Sequence, residues 1–172
     1  MSNSTHLPSR EELLDVLRES VHEVFSSTVT SFKQAAQVCE QGETAVALED
    51  ENGVRVTASI DLEAAVAFKG SLSGSVVVRC SAQGAMDIAR GLLMLDATTS
   101  LAVQEIEDAL GECANMGSGV LKRRALDPRG TFELGLPEIR RAPKVIGRPG
   151  GMLVYQLSEG VVSMELWLDE PQ

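Results

Sequence analysis

Glu112 and Asn115 stand three residues apart in the run DALGECANMGSGVLK, residues 108–122, and are the side chains of this sequence best suited to chemistry. A carboxamide takes no proton at neutral pH, so Asn115 is no general base. It accepts and donates hydrogen bonds at once, and the task that suits it is holding a water molecule against an electrophile. A carboxylate one turn away can grip a lysine or arginine of another molecule. Such a pair is half a site, because its electrophile and any metal must come from elsewhere. On spacing alone, a glutamate and an asparagine on one helix face also fit ordinary solvated positions.

The element that must carry the pair is a helix. At 100° per residue, Ile106, Ala109, Leu110, Cys113, Gly117 and Val120 gather on one side. Glu105, Asp108, Glu112, Asn115, Gly119 and Lys122 gather on the other. This is the pattern of a helix half-buried against a sheet. Glycine inside a helix costs about 1 kcal/mol relative to alanine, so Gly111, Gly117 and Gly119 each need a reason. Gly117, on the apolar side, predicts close approach of a neighbouring element. Gly119 lies one turn from Asn115 and leaves room for another molecule to reach it.

Other chemistries find little support. The only histidines are His6 and His22, and no Cys or His cluster has metal-ligand spacing, so no metal of the chain's own is expected. A Ser-His-Asp site would need His22 as base, and its position on the first helix suits a surface or boundary residue better. No GxxxxGK[ST] or GxGxxG run occurs, and the glycines from Gly147 to Gly151 read as a turn. Cys39, Cys80 and Cys113 are odd in number and widely spaced, and read as small buried apolar residues in a reducing compartment. The net charge of −10 over 172 residues argues against nucleic acid as the main partner. The opening MSNSTHLPSREE has no apolar core of a signal peptide, and no stretch is long enough to span a bilayer. A cytoplasmic protein is expected.

The length favours one domain, residues 9–172, after a disordered leader over residues 1–8. Ser9 and Glu12 fit a capping box opening a helix to about Cys39, with Leu13, Leu14, Val16, Leu17, Val21, Val24 and Phe25 as its apolar face. The Ser and Thr residues of 26–30 are placed to bend it. Strands follow at Ala45–Glu49 and Val54–Ile60 around Glu51-Asn52-Gly53, then at Ala64–Lys69 and Ser75–Cys80. In Val54–Ile60 the alternation predicts one buried face, Val54, Val56, Ala58 and Ile60. Ser81 caps a short helix, Ala82–Leu95. The motif helix runs from about Leu101 to Leu126, and Asp127-Pro128-Arg129-Gly130 ends it. Strands return at Phe132–Leu136, stopping at Pro137, and at Met152–Leu157 and Val161–Leu168 around Glu159-Gly160. The expected class is α+β, a largely antiparallel sheet of about six or seven strands with about three helices packed on it.

The run LGECANMGSGVLK resembles the signature helix of the CheC/CheX/FliY phosphatases of bacterial chemotaxis. Their pattern is Asp or Ser, three residues, Glu, two residues, Asn, then Pro about two dozen positions on. Asp108, Glu112, Asn115 and Pro137 match it in order, with the last interval one residue short. GSLSGSVVVRCSAQGAMDIARGLLML resembles the strand and helix preceding the signature in CheX-like members, and the likeness extends over about residues 10–168. The resemblance implies a phosphatase acting on phosphorylated CheY-type receiver domains. It implies that Asn115 orients the attacking water, that Glu112 pairs with the receiver's lysine, and that Mg2+ belongs to the receiver. It leaves Asp108 to support the helix face or touch the partner. Some CheC-like members carry a second Glu-x-x-Asn on the first helix. Here Glu19 is followed by His22 and Glu23 by Ser26, so one site per chain is expected, as in CheX. A homodimer through exposed sheet edges is likewise implied.

Two other readings stay open. One is a non-catalytic binding module of the same fold, like the middle domain of flagellar switch proteins. The other starts from charge: eight of the 15 Lys and Arg lie between Lys122 and Arg148, which suits either solvated loops or a docking surface for an acidic protein.

Overall fold

Residues 7–35, 37–41, 44–49, 52–126, 131–143 and 149–169 are described by the computed structural model, residues 37–41 through their backbone alone. In chain order the elements are α1 (Arg10–Thr28), β1 (Lys33–Gln34), β2 (Gln37–Gln41), β3 (Ala45–Glu49), β4 (Arg55–Ser59), β5 (Leu62–Lys69) and β6 (Gly74–Cys80). Then come α2 (Ala82–Leu92), α3 (Val103–Leu121) with a π-helical turn Lys122–Leu126, β7 (Glu133–Leu134), β8 (Glu138–Arg141), β9 (Gly151–Gln156) and β10 (Val161–Leu168). Seven strands form one sheet in the order β1-β9-β10-β6-β5, with β7 and β8 sharing the outer edge of β5. Every pairing is antiparallel, and the expected α+β class holds.

The period of two along the central strands sorts their side chains. Ala64, Val66 and Phe68 of β5, Val76, Val78 and Cys80 of β6, and Val162, Met164 and Leu166 of β10 all join one core with Leu153 and Tyr155 of β9. The three helices cover that face. The opposite face is partly covered by a small sheet, β2-β3-β4, whose Val46 and Leu48 pack on Val154 and Val161.

The sequence reading of α1 is right at its start and wrong at its end. Ser9 and Glu12 make the expected reciprocal cap, at 3.2 and 2.6 Å. Leu13, Leu17, Val21, Val24 and Phe25 are buried as expected, with Leu14 and Val16 packed beside them. The helix stops at Thr28, not near Cys39. Ser27 and Thr28 turn their hydroxyls back onto the Val24 carbonyl, and Val29 is extended. The serine-threonine cluster thus lies in the last turn of a helix that ends there, instead of bending a longer one. The chain beyond enters strands, with Lys33 and Gln34 pairing with β9.

A second correction concerns β4. Its expected buried face is only partly covered: Ile60 is buried, but Val54 and Val56 are 55% and 37% exposed. β4 is an edge strand of a three-stranded sheet too small to be covered along its length. A third is β8, a strand that the proline at 137 argues against and that forms directly after it. The expected helix stop at residues 127–130, the leader as far as residue 6 and the side chain of Cys39 lie outside the described residues.

Gly117 has the neighbour its position implies. A Cβ there would lie 3.2 and 3.3 Å from Met164 Cε and Sδ, and 3.9 Å from Ser20 Oγ. α3 thus sits close on both β10 and α1. Gly117→Leu should cost about 1–3 kcal/mol, as overpacking of a filled core does. A thermal melt should show a lowered midpoint, and an unchanged one would overturn the burial of this face.

Candidate functional site

α3 is fastened at several points, and its outer ridge is left free. At the N-terminus the Glu105 carboxylate accepts a hydrogen bond from the Ala102 amide at 2.7 Å. One turn on, Glu107 pairs with Arg141 of β8. The Arg141 hydrogen bond is the main cause that holds the Glu107 carboxyl below the usual carboxylate range. Below the helix, Ala109, Leu110, Cys113, Ala114, Gly117 and Val120 are buried, as the apolar period requires.

On the opposite side Asp108, Glu112 and Asn115 are exposed and Gly119 is half-buried. Residues three and four apart on a helix face stand about 5–6 Å apart between Cβ atoms, so these four form one ridge. Asp108 is held by its neighbour, accepting a hydrogen bond from Gln104 Nε2 at 2.7 Å. Glu112 and Asn115 make no side-chain hydrogen bond or ion pair among the described residues. Their polar atoms therefore point to solvent from a helix whose backbone is pinned on three sides.

Pro137 belongs beside this ridge. A Cβ on Gly111 would meet Pro137 Cβ and Ile139 Cδ1, each at 3.4 Å, so the glycine admits the β7–β8 connection against the helix flank. That is the missing reason for Gly111. The connection is secured by the Gly135 amide donating to the Ala67 carbonyl at 2.8 Å. Leu136, next to Pro137, is 87% exposed.

At the other end lies a residue the sequence reading did not single out. Four residues on, Arg123 folds back over Gly119, with its Nη1 3.5 Å from where a Cβ would be. The space at Gly119 is thus open but bordered by a guanidinium. The spacing Asn115, Gly119, Arg123 carried the signal, and the arginine was absorbed into the count of basic residues from 122 to 148. Its neighbour Arg124 points elsewhere, pairing with Glu19 and Glu23 of α1 at 3.2 and 2.7 Å.

The remaining candidates for chemistry are accounted for by packing. Burial, and then the charge of Glu112, pushes the Cys113 thiol up to about 12. Burial likewise raises Cys80. Neither offers a thiolate near neutral pH. His22 is exposed on α1, its ring edge-on to Phe32 and Tyr155 at 5.3 and 6.3 Å. Among the described residues no group of three or more His, Cys, Asp or Glu is arranged to hold a metal ion. No described helix is long and apolar enough to cross a membrane.

The fold has counterparts among solved structures. The CheX chemotaxis protein of Vibrio vulnificus is 16% identical over 94% of this chain and 99% of its own, with a TM-score of 0.67. A CheX from Desulfovibrio desulfuricans is 20% identical over 92% and 99%, at 0.63. The CheX-CheY-BeF3-Mg+2 complex from Borrelia burgdorferi matches at 13% identity over 96% and 100%, at 0.61. At such identities the likeness establishes the fold. No curated protein sequence matches the chain. The family model described as "Chemotaxis phosphatase CheX" matches residues 62–152, which run from β5 into β9 and hold the whole ridge with its flanking proline. With more than half of its length under that model and the fold to match, the chain belongs to the CheX family of chemotaxis phosphatases.

Proposed function

We propose that this chain hydrolyses the phospho-aspartate of a CheY-type receiver domain, and that the α3 ridge is the surface that enters the receiver. The observation that carries this reading is Asn115, exposed one turn from Glu112 on a pinned helix, with neither side chain bonded among the described residues. The Borrelia burgdorferi CheX solved with CheY supports a receiver as the class of partner.

In this reading the amide oxygen of Asn115 accepts a hydrogen bond from water and its NH2 donates one to the phosphoryl group. The water oxygen attacks phosphorus, the bond from phosphorus to the aspartyl oxygen breaks, and a carboxylate and inorganic phosphate leave. Water gives up its proton to the phosphate formed. An acyl phosphate is a reactive group, so positioning supplies most of what is needed. Mg2+ is the receiver's, and this chain contributes no ligand to it. Glu112 pairs with the receiver's lysine. Asp108, already engaged by Gln104, stiffens the N-terminal half of the ridge. Pro137, lodged against Gly111, fixes its flank. One such site per chain, a cytoplasmic location and a homodimer through the sheet complete the proposal.

The test is the decay of a phosphorylated receiver with and without the protein. Acceleration supports the reading, and binding of the phosphorylated form without acceleration identifies a docking module instead. Glu112→Lys turns the lysine contact into a repulsion. It should weaken receiver binding by tenfold or more, about 1.4 kcal/mol, and slow decay with it. Binding by titration calorimetry that is unchanged by this substitution would remove Glu112 from the interface.

A further inference from the structure

We infer that Arg123 reads the phosphoryl group of the receiver, making the chain's affinity depend on whether that group is present. The inference rests on the phosphatase reading for the identity of the partner, and on the ridge for its geometry.

Three observations carry it. Arg123 is exposed, and no hydrogen bond or ion pair engages it among the described residues, whereas Arg124 beside it is held twice by α1. Its guanidinium is folded back along the ridge, with Nη1 3.5 Å from the absent Cβ of Gly119. Gly119 is itself one helical turn from Asn115, about 5–6 Å between Cβ positions. The cation therefore stands on the same ridge as Asn115, about one helical turn beyond it. Arg123 follows Gly119 by four residues, the spacing that stacks two helix positions on one face with the side chain leaning toward the N-terminus. A glycine at 119 is what leaves that path free for the guanidinium.

The charge pattern fits one kind of ligand. The ridge runs from Asp108 and Glu112, through the neutral Asn115 and Gly119, to Arg123. Its acidic end suits a cation of the partner, and its basic end suits an anion about two turns away. The chain carries a net charge of −10, so an anionic phosphoryl group brought to the ridge needs a local cation to offset the surrounding negative charge. Guanidinium offers paired N–H donors matched to phosphoryl oxygens, and such charge-assisted contacts are the strong ones. Arg123 is the ridge residue able to make them.

The experiment compares the unmodified protein with Arg123→Gln, Arg123→Lys and Arg124→Gln. The last removes the same charge from the same turn, away from the ridge. Each is titrated against one receiver with Mg2+, with and without beryllofluoride as the phosphoryl mimic, after its melting curve confirms folding. Arg123→Gln should weaken binding of the beryllofluoride-loaded receiver about tenfold and change binding of the unloaded receiver less than twofold. Arg123→Lys should fall between, because it keeps charge but not the fork. Arg124→Gln should change both by less than twofold. Equal losses on both forms, or equal losses from Arg123→Gln and Arg124→Gln, would overturn the inference. The phosphatase reading fails separately: the unmodified protein would bind the loaded receiver and leave decay of the phosphorylated one unaltered.

Discussion

Asn115→Ala should remove the acceleration of receiver dephosphorylation and leave receiver binding nearly intact. Loss of one positioned hydrogen-bonding group from a reaction centre typically costs about 10²–10³ in rate, roughly 3–4 kcal/mol. Little else should change. Asn115 is exposed and carries no packing, and alanine is the most favourable helix residue. The contacts assigned to Glu112 remain, so affinity for the beryllofluoride-loaded receiver should shift by no more than about threefold, under 1 kcal/mol. Asn115→Asp should be as inactive, for a different reason. It sets a second carboxylate one turn from Glu112 and facing an anionic phosphoryl group, where like charges repel. The measurement is single-turnover decay at saturating protein. If Asn115→Ala hastens decay as well as the unmodified protein, water positioning is wrong and the activity lies elsewhere on the molecule.

That prediction could be framed from the sequence because a helix exposes its two faces through a local period. The assignment of Cys113, Gly117 and Val120 inward, and of Asp108, Glu112 and Asn115 outward, needed only the 100° turn and the small residues, and it holds. Caps and hairpins were legible for the same reason: Ser9 with Glu12, Ser81 before α2, and Glu159-Gly160 between β9 and β10 are decided within a few residues. What was not legible depends on distant partners. α1 ends at Thr28 because the next segment is claimed by β9, more than 120 residues away. β8 forms after a proline because Ala64 and its neighbours offer it a free edge. Val56 alternates like a buried residue, yet on the edge strand β4 it stays 37% exposed. In the site, the amide and carboxylate were visible as a local pair. The guanidinium over Gly119 has an i, i+4 spacing to announce it, but which of the successive basic residues 122–124 stays on the ridge depends on α1, whose Glu19 and Glu23 hold Arg124.

Arg79→Ala should damage the fold as much as truncating a large core side chain. Arg79 lies on the face of the sheet away from the helices and is buried together with Glu63 and Glu165, which are 2% and 0% exposed. It donates from Nε to Glu63 at 2.7 Å and pairs through Nη1 with Glu165. Its guanidinium also lies 5.4 Å from the centroid of the Trp167 ring, and the Trp167 indole donates to Glu165 at 2.9 Å. Removing the arginine leaves two buried carboxylates around one lost cation. Breaking a buried pair from one side costs about 3–5 kcal/mol, a large part of the roughly 5–15 kcal/mol that holds a domain folded. At about 2–4 °C per kcal/mol for a chain of this size, the melting midpoint should fall by roughly 6–20 °C. Arg140 of β8 still reaches Glu63, at 3.0 Å, but it is largely in water and compensates little. The effect should also travel. Glu63 holds β8 through Arg140, and β8 holds α3 through Arg141 and Glu107, so slackening this network frees the flank of the ridge. Replacing Glu63, Arg79 and Glu165 together by Leu, Met and Leu should recover most of the lost stability, since no charge is then left unpaired. A melting midpoint lowered by less than about 2 °C in Arg79→Ala would mean that water reaches these carboxylates and that the network does not couple the sheet to the ridge.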